Sequence, residues 1–204
     1  MALAAVLALA GCGTDSPPNR APSPASASAT GAAPPTTAAP TTPPIPVYKP
    51  ATANGPAQNV PVPVLPAKAK EFSKAGLEAF ATYWYSTLGY VYETGDSKPM
   101  MAITGNSCST CERTNGPVGD WYRSGGWITG GRLKVHSATS SFEHAADGSY
   151  QAIVIIEQSP VSYYSADGTL DEALAPTIAR PDIVVATYSN ARWTAETAEH
   201  LTSQ

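Results

Sequence analysis

YQAIVIIEQ, residues 150–158, carries the strand pattern around which the rest of the sheet can be predicted. Its β-branched residues predict a strand, and residues 152–156 are apolar on both faces of that strand. This pattern indicates a position at the centre of a sheet or at an interface. The turn pair Asp147-Gly148 stands just before the strand, and residues 132–142 alternate before the turn. The two segments therefore predict an antiparallel hairpin.

The remaining C-terminal segments extend this sheet. Residues 161–164 predict a short strand, and residues 183–188 and 192–197 predict a last hairpin around Asn190-Ala191. Between them we expect residues 169–180 to form a loop with one helical turn. These strands together favour an antiparallel sheet.

A helical period dominates the segment that precedes the sheet. Residues 68–96 place aromatic and aliphatic side chains on one broad face, which predicts a long helix lying across the sheet. Ser73 is positioned to cap this helix. Gly95 stands where a left-handed residue would end it.

Two shorter helical segments are predicted between the long helix and the sheet. One begins after Asp96 or Ser97, with Pro99 in its first turn. The other begins with Ser107 as its cap and is divided into two pieces at Gly116-Pro117, because proline disrupts a helix interior. Helices followed by antiparallel strands predict the α+β class, with N-terminal helices packed on a curved, mainly antiparallel sheet.

The first third of the chain has a different composition. Of the 20 prolines in the 204 residues, 15 precede residue 67, whereas 16 of the 17 aromatic residues follow it. Residues 13–66 are dominated by Pro, Ala, Thr and Ser and lack the apolar surface that would offset the entropy of ordering. We therefore expect a disordered linker over residues 13–66 and a folded domain over residues 67–204. The net charge of −4 argues against a nucleic-acid-binding surface.

The first twelve residues, MALAAVLALAGC, predict an export signal. Their last four, Leu9 to Cys12, resemble the lipobox of bacterial lipoproteins at every position. The resemblance implies removal of residues 1–11 as a signal peptide and attachment of lipid to Cys12. No Lys or Arg precedes the apolar run, so we expect translation to start upstream of Met1. The predicted location is the outer face of the cytoplasmic membrane.

The folded part resembles a known superfamily in the order of its elements. A long helix, short helices and then a curved sheet resemble the cone-shaped domains of the nuclear transport factor two-like (SnoaL-like) superfamily. More narrowly, residues 70–96, the Cys108/Cys111 pair and Gly125-Gly126-Trp127 resemble an uncharacterised lipoprotein family of high-GC Gram-positive bacteria. This resemblance covers roughly residues 67–200 and implies a cone with an internal cavity, without implying an activity.

Cys108 and Cys111 are the two cysteines left for the exported domain. In an oxidising compartment they favour a structural disulfide that fixes the start of a helix. The alternatives are a thioredoxin-like redox pair, which would require a βαβ entry to the motif, and a zinc site. The three histidines offer no further ligands at a suitable spacing, so we expect no metal and no cofactor.

Two residues on the predicted strands are weak candidates for catalysis. Glu157 alternates with Ile153 and Ile155, so burial would suit it to act as a general base, whereas its place near the strand end favours exposure. His136 shares a strand face with Lys134, which favours solvent over a pocket. Neither residue belongs to a recognisable catalytic constellation.

Five aromatic residues are candidates for a ligand pocket between helix and sheet: Tyr83, Trp84, Trp121, Trp127 and Trp193. The alternative is that each fills the core, which a domain of this size requires.

The sequence therefore predicts a membrane-anchored module that binds a ligand or partner in the cell envelope without catalysis. The alternative is an enzyme that acts on a small apolar molecule in the pocket. The expected partners are the membrane, through lipid on Cys12, and a second copy of the chain or another envelope protein. The two-sided strand at residues 152–156 would provide the contact, and no nucleic acid is expected.

Overall fold

The computed structural model describes residues 46–201. The predicted signal peptide, Cys12 and the first part of the predicted linker lie outside this range. Helices come first and antiparallel strands follow, so the α+β prediction is confirmed. In residues 46–201, no helix is both long and apolar enough to span a bilayer.

The long helix, α1, spans Lys74–Thr94 and follows a short 3₁₀ helix at Ala67–Lys70. Ser73 caps it, because the Ser73 hydroxyl accepts a hydrogen bond from the backbone N–H of Gly76 at 3.0 Å. Gly95 ends it with a φ of 72°. This left-handed conformation suits glycine, and a Cβ there would also collide with the Tyr122 ring.

Two further helices follow: α2 at Lys98–Met101 and α3 at Ser109–Arg123. The predicted break at Gly116-Pro117 is wrong, since α3 continues through Pro117. Pro117 lacks an N–H for the carbonyl of Arg113, but both residues are exposed, so water can satisfy that carbonyl. The predicted cap is also displaced by one residue: Cys108, not Ser107, is the N-cap.

Residues 46–201 contain seven strands: β1 Trp127–Gly130, β2 Leu133–Thr139, β3 Tyr150–Gln158, β4 Val161–Tyr164, β5 Leu170–Leu174, β6 Arg180–Ser189 and β7 Arg192–His200. They are arranged in two antiparallel sheets, the smaller with the order β1-β4-β5 and the larger with the order β2-β3-β6-β7. β3 lies between β2 and β6, so the predicted central position of this strand is confirmed.

Two strands of the smaller sheet differ from the sequence predictions. β5, Leu170–Leu174, lies where a loop with a helical turn was expected, and β1 was not predicted. Every residue of β5 is exposed, so the strand carries no alternation of buried and exposed positions for periodicity to detect. Its pairing with β4 defines it instead.

The structured part begins earlier than the expected boundary at residue 67. Within the predicted linker, Lys49 and Gln58 pair through two backbone hydrogen bonds of 2.9 Å. The carbonyl of Thr52 accepts from the Trp127 indole at 2.8 Å, and that of Pro63 accepts from the Tyr83 hydroxyl at 3.3 Å. Residues 46–66 therefore pack on the domain as an extended strap, and the linker prediction does not hold for them.

The two faces of the larger sheet have different environments. The inner face packs under α1 with small and branched side chains that are fully buried, namely Ala152, Val154, Val184, Ala186 and Ala195. The outer face carries alternating residues that are only half-buried, among them Ile153, Ile155, Ile183 and Val185. The cavity lies on the inner face.

Candidate functional site

A cavity of about 370 Å³ opens at one end of the larger sheet, between its inner face and helices α1 and α3. The start of β2 and β6, the end of β3 and β7, and the first turns of α3 border it. Antiparallel pairing brings these strand ends together, because the start of one strand lies beside the end of its neighbour. The volume falls within the range of small-molecule pockets.

One wall of the cavity is apolar. Trp84, Leu88 and Tyr92 face it from α1 at a spacing of four residues, which places them on one side of the helix. Leu133 and Ile156 complete this wall from the sheet. The Trp84 indole is held in place because its N–H donates to the Thr104 hydroxyl at 3.1 Å.

A hydrogen-bond chain that runs from the buried Tyr85 to the exposed His200 forms the polar wall. The Tyr85 hydroxyl donates to Asp182 Oδ2 at 2.6 Å, and His200 Nδ1 bonds the other carboxylate oxygen, Oδ1. Arg180 Nη2 lies 2.5 Å from His200 Nε2. A guanidinium can only donate, so Nε2 accepts and the His200 proton sits on Nδ1, facing Asp182. Both carboxylate oxygens of Asp182, a residue only 2% exposed, are thereby engaged.

The environment of Tyr85 keeps its hydroxyl protonated. Burial raises the pKa of the phenol far above its ordinary value, and the hydrogen bond to Asp182 and that carboxylate's negative charge raise it further. Tyr85 therefore acts as a fixed hydrogen-bond donor at neutral pH.

Two arginines border the cavity. Arg180 extends from β6 beside His200, and Arg113 extends from α3, where its Nη2 donates to the Thr110 hydroxyl at 2.9 Å. Neither guanidinium forms an ion pair with a carboxylate of residues 46–201. Glu199 also borders the cavity, but it is paired opposite Ile183 and lies between Ala198 and His200. Strand alternation therefore places its side chain on the outer face.

The disulfide predicted between Cys108 and Cys111 is present, with a Cα–Cα distance of 5.3 Å. It closes the first turn of α3, from which Thr110 and Arg113 reach the cavity. Both cysteines are 1% exposed, so the bond is shielded from solvent thiols. Within the described range, no group of three or more His, Cys, Asp or Glu side chains is arranged to hold a metal ion.

The family model described as a family of unknown function, DUF6318, matches residues 46–199. The chain belongs to the DUF6318 family. The match begins at the strap and includes the elements that border the cavity, except for His200 at the end of β7. No curated protein matches the sequence.

Solved structures that resemble the DUF6318 domain do so at low identity. The intermembrane space region of the chloroplast protein ARC6 shares 15% identity at a TM-score of 0.39, covering 65% of this chain and 99% of that one. Aln2 from a Streptomyces species shares 13% at a TM-score of 0.36, covering 59% and 87%. A putative calcium/calmodulin dependent protein kinase II association domain from Xanthomonas campestris shares 10% at 0.31, covering 69% and 94%.

The five aromatic candidates are not brought together in the DUF6318 domain. Trp84 borders the cavity, whereas Tyr83 contacts the strap. The indole N–H groups of Trp121, Trp127 and Trp193 each donate to a backbone carbonyl, of Trp127, Thr52 and Glu71 respectively. These three tryptophans stabilise the packing of helices, strap and sheet.

The two catalytic candidates lie on the outer face, away from the cavity. His136 Nε2 is 2.8 Å from Glu157 Oε2, and the side chains are 33% and 42% exposed. They pair across β2 and β3 at the bulge in β2. The structure therefore brings these candidates together, but in a solvated position on the sheet surface.

The polar groups of the cavity were not selected from the sequence. A signal for Asp182 was available, because it alternates with Val184 and Ala186 and so shares their buried face. The last predicted strand ends at residue 197, whereas β7 extends to include His200. Tyr85 and the two arginines had no distinguishing pattern, since long-range pairing alone brings them to the same cavity.

Proposed function

We propose that this chain is an extracytoplasmic lipoprotein, anchored in the membrane through Cys12, whose DUF6318 domain binds a small molecule without catalysis. The observation that carries the binding proposal is the cavity, with one apolar wall and a small set of fixed polar groups opposite. This combination is typical of sites that bury an apolar ligand body and orient one polar group.

The engagement of the cavity's polar groups favours binding over catalysis. A general base needs a lone pair that the substrate can reach, but the Asp182 carboxylate is buried and already holds Tyr85 and His200, and both ring nitrogens of His200 have partners. The raised pKa of Tyr85 removes it as a base at neutral pH. Glu157 and His136, the residues of the enzymatic alternative, lie outside the cavity.

The proposed anchor rests on the sequence Leu9-Ala10-Gly11-Cys12. Two acyl chains on Cys12 would hold the protein stably at the outer face of the cytoplasmic membrane, where one chain binds only marginally. Cys12→Ala should abolish incorporation of labelled palmitate, measured on the protein after growth of producing cells with the label. Labelling that persists in this variant would refute the anchor.

The order of elements supports a finer proposal about ancestry. Helices followed by antiparallel strands, with a cavity between α1 and the sheet, fit a cone-shaped domain of the nuclear transport factor two-like (SnoaL-like) superfamily. We include this chain among the lipoproteins of high-GC Gram-positive bacteria on the basis of its lipobox and its Cys108/Cys111 pair.

Native mass spectrometry of the protein purified from producing cells tests the binding function. We expect a reproducible additional mass on the wild-type chain. Thr114→Phe, which adds a ring at the cavity border, should remove it, whereas Glu112→Phe on the exposed side of the same helix should retain it. A ligand-free mass in the wild type, or an adduct equally present in both variants, would contradict binding in this cavity.

A second copy of the chain is the proposed protein partner, and the outer face of the larger sheet is the proposed contact. Half-buried Ile153 and Ile155 are flanked there by both basic and acidic side chains, including Lys134 and Glu157. A twofold interface places such a face against itself, so opposite charges can meet around an apolar centre. Ile155→Lys should convert a dimer to a monomer in analytical ultracentrifugation, and a monomeric wild type would refute the contact.

A further inference from the structure

We infer that the ligand of this cavity is an amphiphile with one anionic head group, a carboxylate or phosphate monoester, and an apolar body. The head would lie between Arg113 and Arg180, and the body would lie against Trp84, Leu88 and Ile156. This inference rests on the proposed binding function and specifies the chemistry of its ligand.

The charge balance of the cavity favours an anionic head group. Two guanidinium groups border it, and neither has a carboxylate partner within residues 46–201. The carboxylate that faces the interior, Asp182, is occupied by Tyr85 and His200. Because Asp182 is only 2% exposed, an incoming cation would have little access to this carboxylate, whereas an incoming anion would find two cationic donors.

Without a ligand, the two arginines contact neutral groups. Arg113 donates to the neutral hydroxyl of Thr110, and Arg180 approaches the neutral nitrogen of His200. A guanidinium has five donors, so each of these contacts leaves most of them available. A carboxylate or phosphate would add the opposite charge and can bind a guanidinium through two parallel hydrogen bonds, so it would improve on both contacts.

The positive charge of Arg180 lies beside the apolar wall of the cavity. Arg180 lies on β6 directly opposite Ile156 of β3, and Leu133 lies close by at the start of β2. The hydroxyl groups of Thr110 and Thr177 border the same cavity. Each accepts a hydrogen bond from the protein, so its own proton remains available to a ligand. The head group and the apolar body therefore have separate but adjacent surfaces.

Three probes with the same eight-carbon chain test the inference: octanoate, 1-octanol and octylammonium. Binding is measured by isothermal titration calorimetry on the whole chain carrying Cys12→Ala, which removes the site of attached lipid. We expect octanoate to bind at least tenfold more tightly than either of the others, because only its head group carries the charge opposite to that of the two guanidinium groups.

Four variants locate the preference. Arg113→Gln and Arg180→Gln should each weaken octanoate binding about tenfold or more and leave 1-octanol binding unchanged. Arg180→Lys should recover part of the loss because it retains the charge. Arg123→Gln is the matched control on α3, since Arg123 is exposed and pairs with Asp120, and it should bind octanoate like the wild type. Circular dichroism verifies that each variant is folded.

The outcomes separate this inference from the proposed function. Equal affinity for the three probes, or a preference for octanoate that survives both glutamine variants, overturns the anionic head group but leaves binding in the cavity intact. Failure of all three probes to bind also overturns the inferred amphiphile, and the mass of the ligand retained from cells then decides the binding function independently. Inorganic phosphate, titrated separately, shows whether the head group alone is sufficient.

Discussion

Two pairs of histidine and carboxylate lie on opposite faces of one four-stranded sheet. Asp182 and His200 pair on the inner face, where the His200 side chain is 52% exposed but that of Asp182 is only 4% exposed. Glu157 and His136 pair on the outer face, where both side chains are at least 33% exposed. The chemical groups are the same, but the surroundings differ.

This difference decides what each pair can do. On the outer face, water competes for both groups and screens their attraction, so the pair contributes little to stability or specificity. On the inner face, Asp182 is removed from water and must be satisfied by protein groups. Tyr85 and His200 satisfy it, and in doing so they fix the polar wall of the cavity.

The largest effect is expected from Asp182→Ala. This change leaves the buried Tyr85 hydroxyl without its acceptor, and a buried unsatisfied group costs about 1–3 kcal/mol. Together with the lost side-chain packing, we expect the free energy of unfolding to fall by about 2–4 kcal/mol, measured by urea denaturation.

Asp182→Asn is the matched control for that variant. Its amide oxygen can still accept from Tyr85, so it should cost less than Asp182→Ala. If Asp182→Ala changed the unfolding free energy by less than about 0.5 kcal/mol, as surface substitutions do, the inner pair would not differ from the outer one.

The next largest effect concerns the disulfide at the cavity border. Replacing both Cys108 and Cys111 by Ser should lower the free energy of unfolding by about 2 kcal/mol, because the closed loop is short. Octanoate binding should weaken as well, since Thr110 and Arg113 lie on the turn that the bond closes. Calorimetric titration of the double variant measures this, and unchanged affinity would show that the border is held without the disulfide.

The sequence predicted the large sheet and the long helix well, for a physical reason. β3 is buried and apolar, and α1 has a broad apolar face, so each carries its own periodic signal. β5 has no buried residue, and Pro117 is tolerated because its lost hydrogen bond faces solvent. Neither feature can be inferred from a local pattern.

The candidate site was less accessible from sequence than the fold. Of its polar groups, Tyr85 and Asp182 are 97 positions apart, so only the folded chain brings them together. Glu157 of the outer pair is a candidate because it alternates with Ile153 and Ile155, yet its position is near the strand end and exposed. A titratable residue in register with buried neighbours, as Asp182 is with Val184, is the stronger signal.

Alkaline pH provides a smaller but distinct test, because it ionises the buried tyrosines of the domain. Burial raises the pKa of Tyr122 from 10.0 to about 12, and it raises that of Tyr85 further. A raised pKa in the folded state means that the stabilising contribution is complete below pH 10 and is lost as the pH rises toward 12. We expect unfolding midpoints in urea to fall over that window.

Absorbance at 295 nm follows the same phenols directly. The exposed tyrosines should ionise first. The buried tyrosines form a second group, which should ionise only as the domain unfolds. Tyr85→Phe should remove one phenol from the second group without changing the first. Complete ionisation in one step, while circular dichroism still reports a folded chain, would contradict the buried environment of Tyr85.

The smallest effect is expected from the outer pair. Its size matters because the comparison between the two faces requires the outer pair to contribute little to stability. Glu157→Gln should change the free energy of unfolding by less than about 0.5 kcal/mol, since an exposed pair is screened and solvated. It should leave octanoate affinity at the wild-type value, because Glu157 lies across the sheet from the cavity. A change in affinity comparable to that of Arg180→Gln would mean that the two faces are coupled through β3. The inner pair would then no longer act independently of the outer one, and a ligand in the cavity would alter the surface proposed for a second copy of the chain.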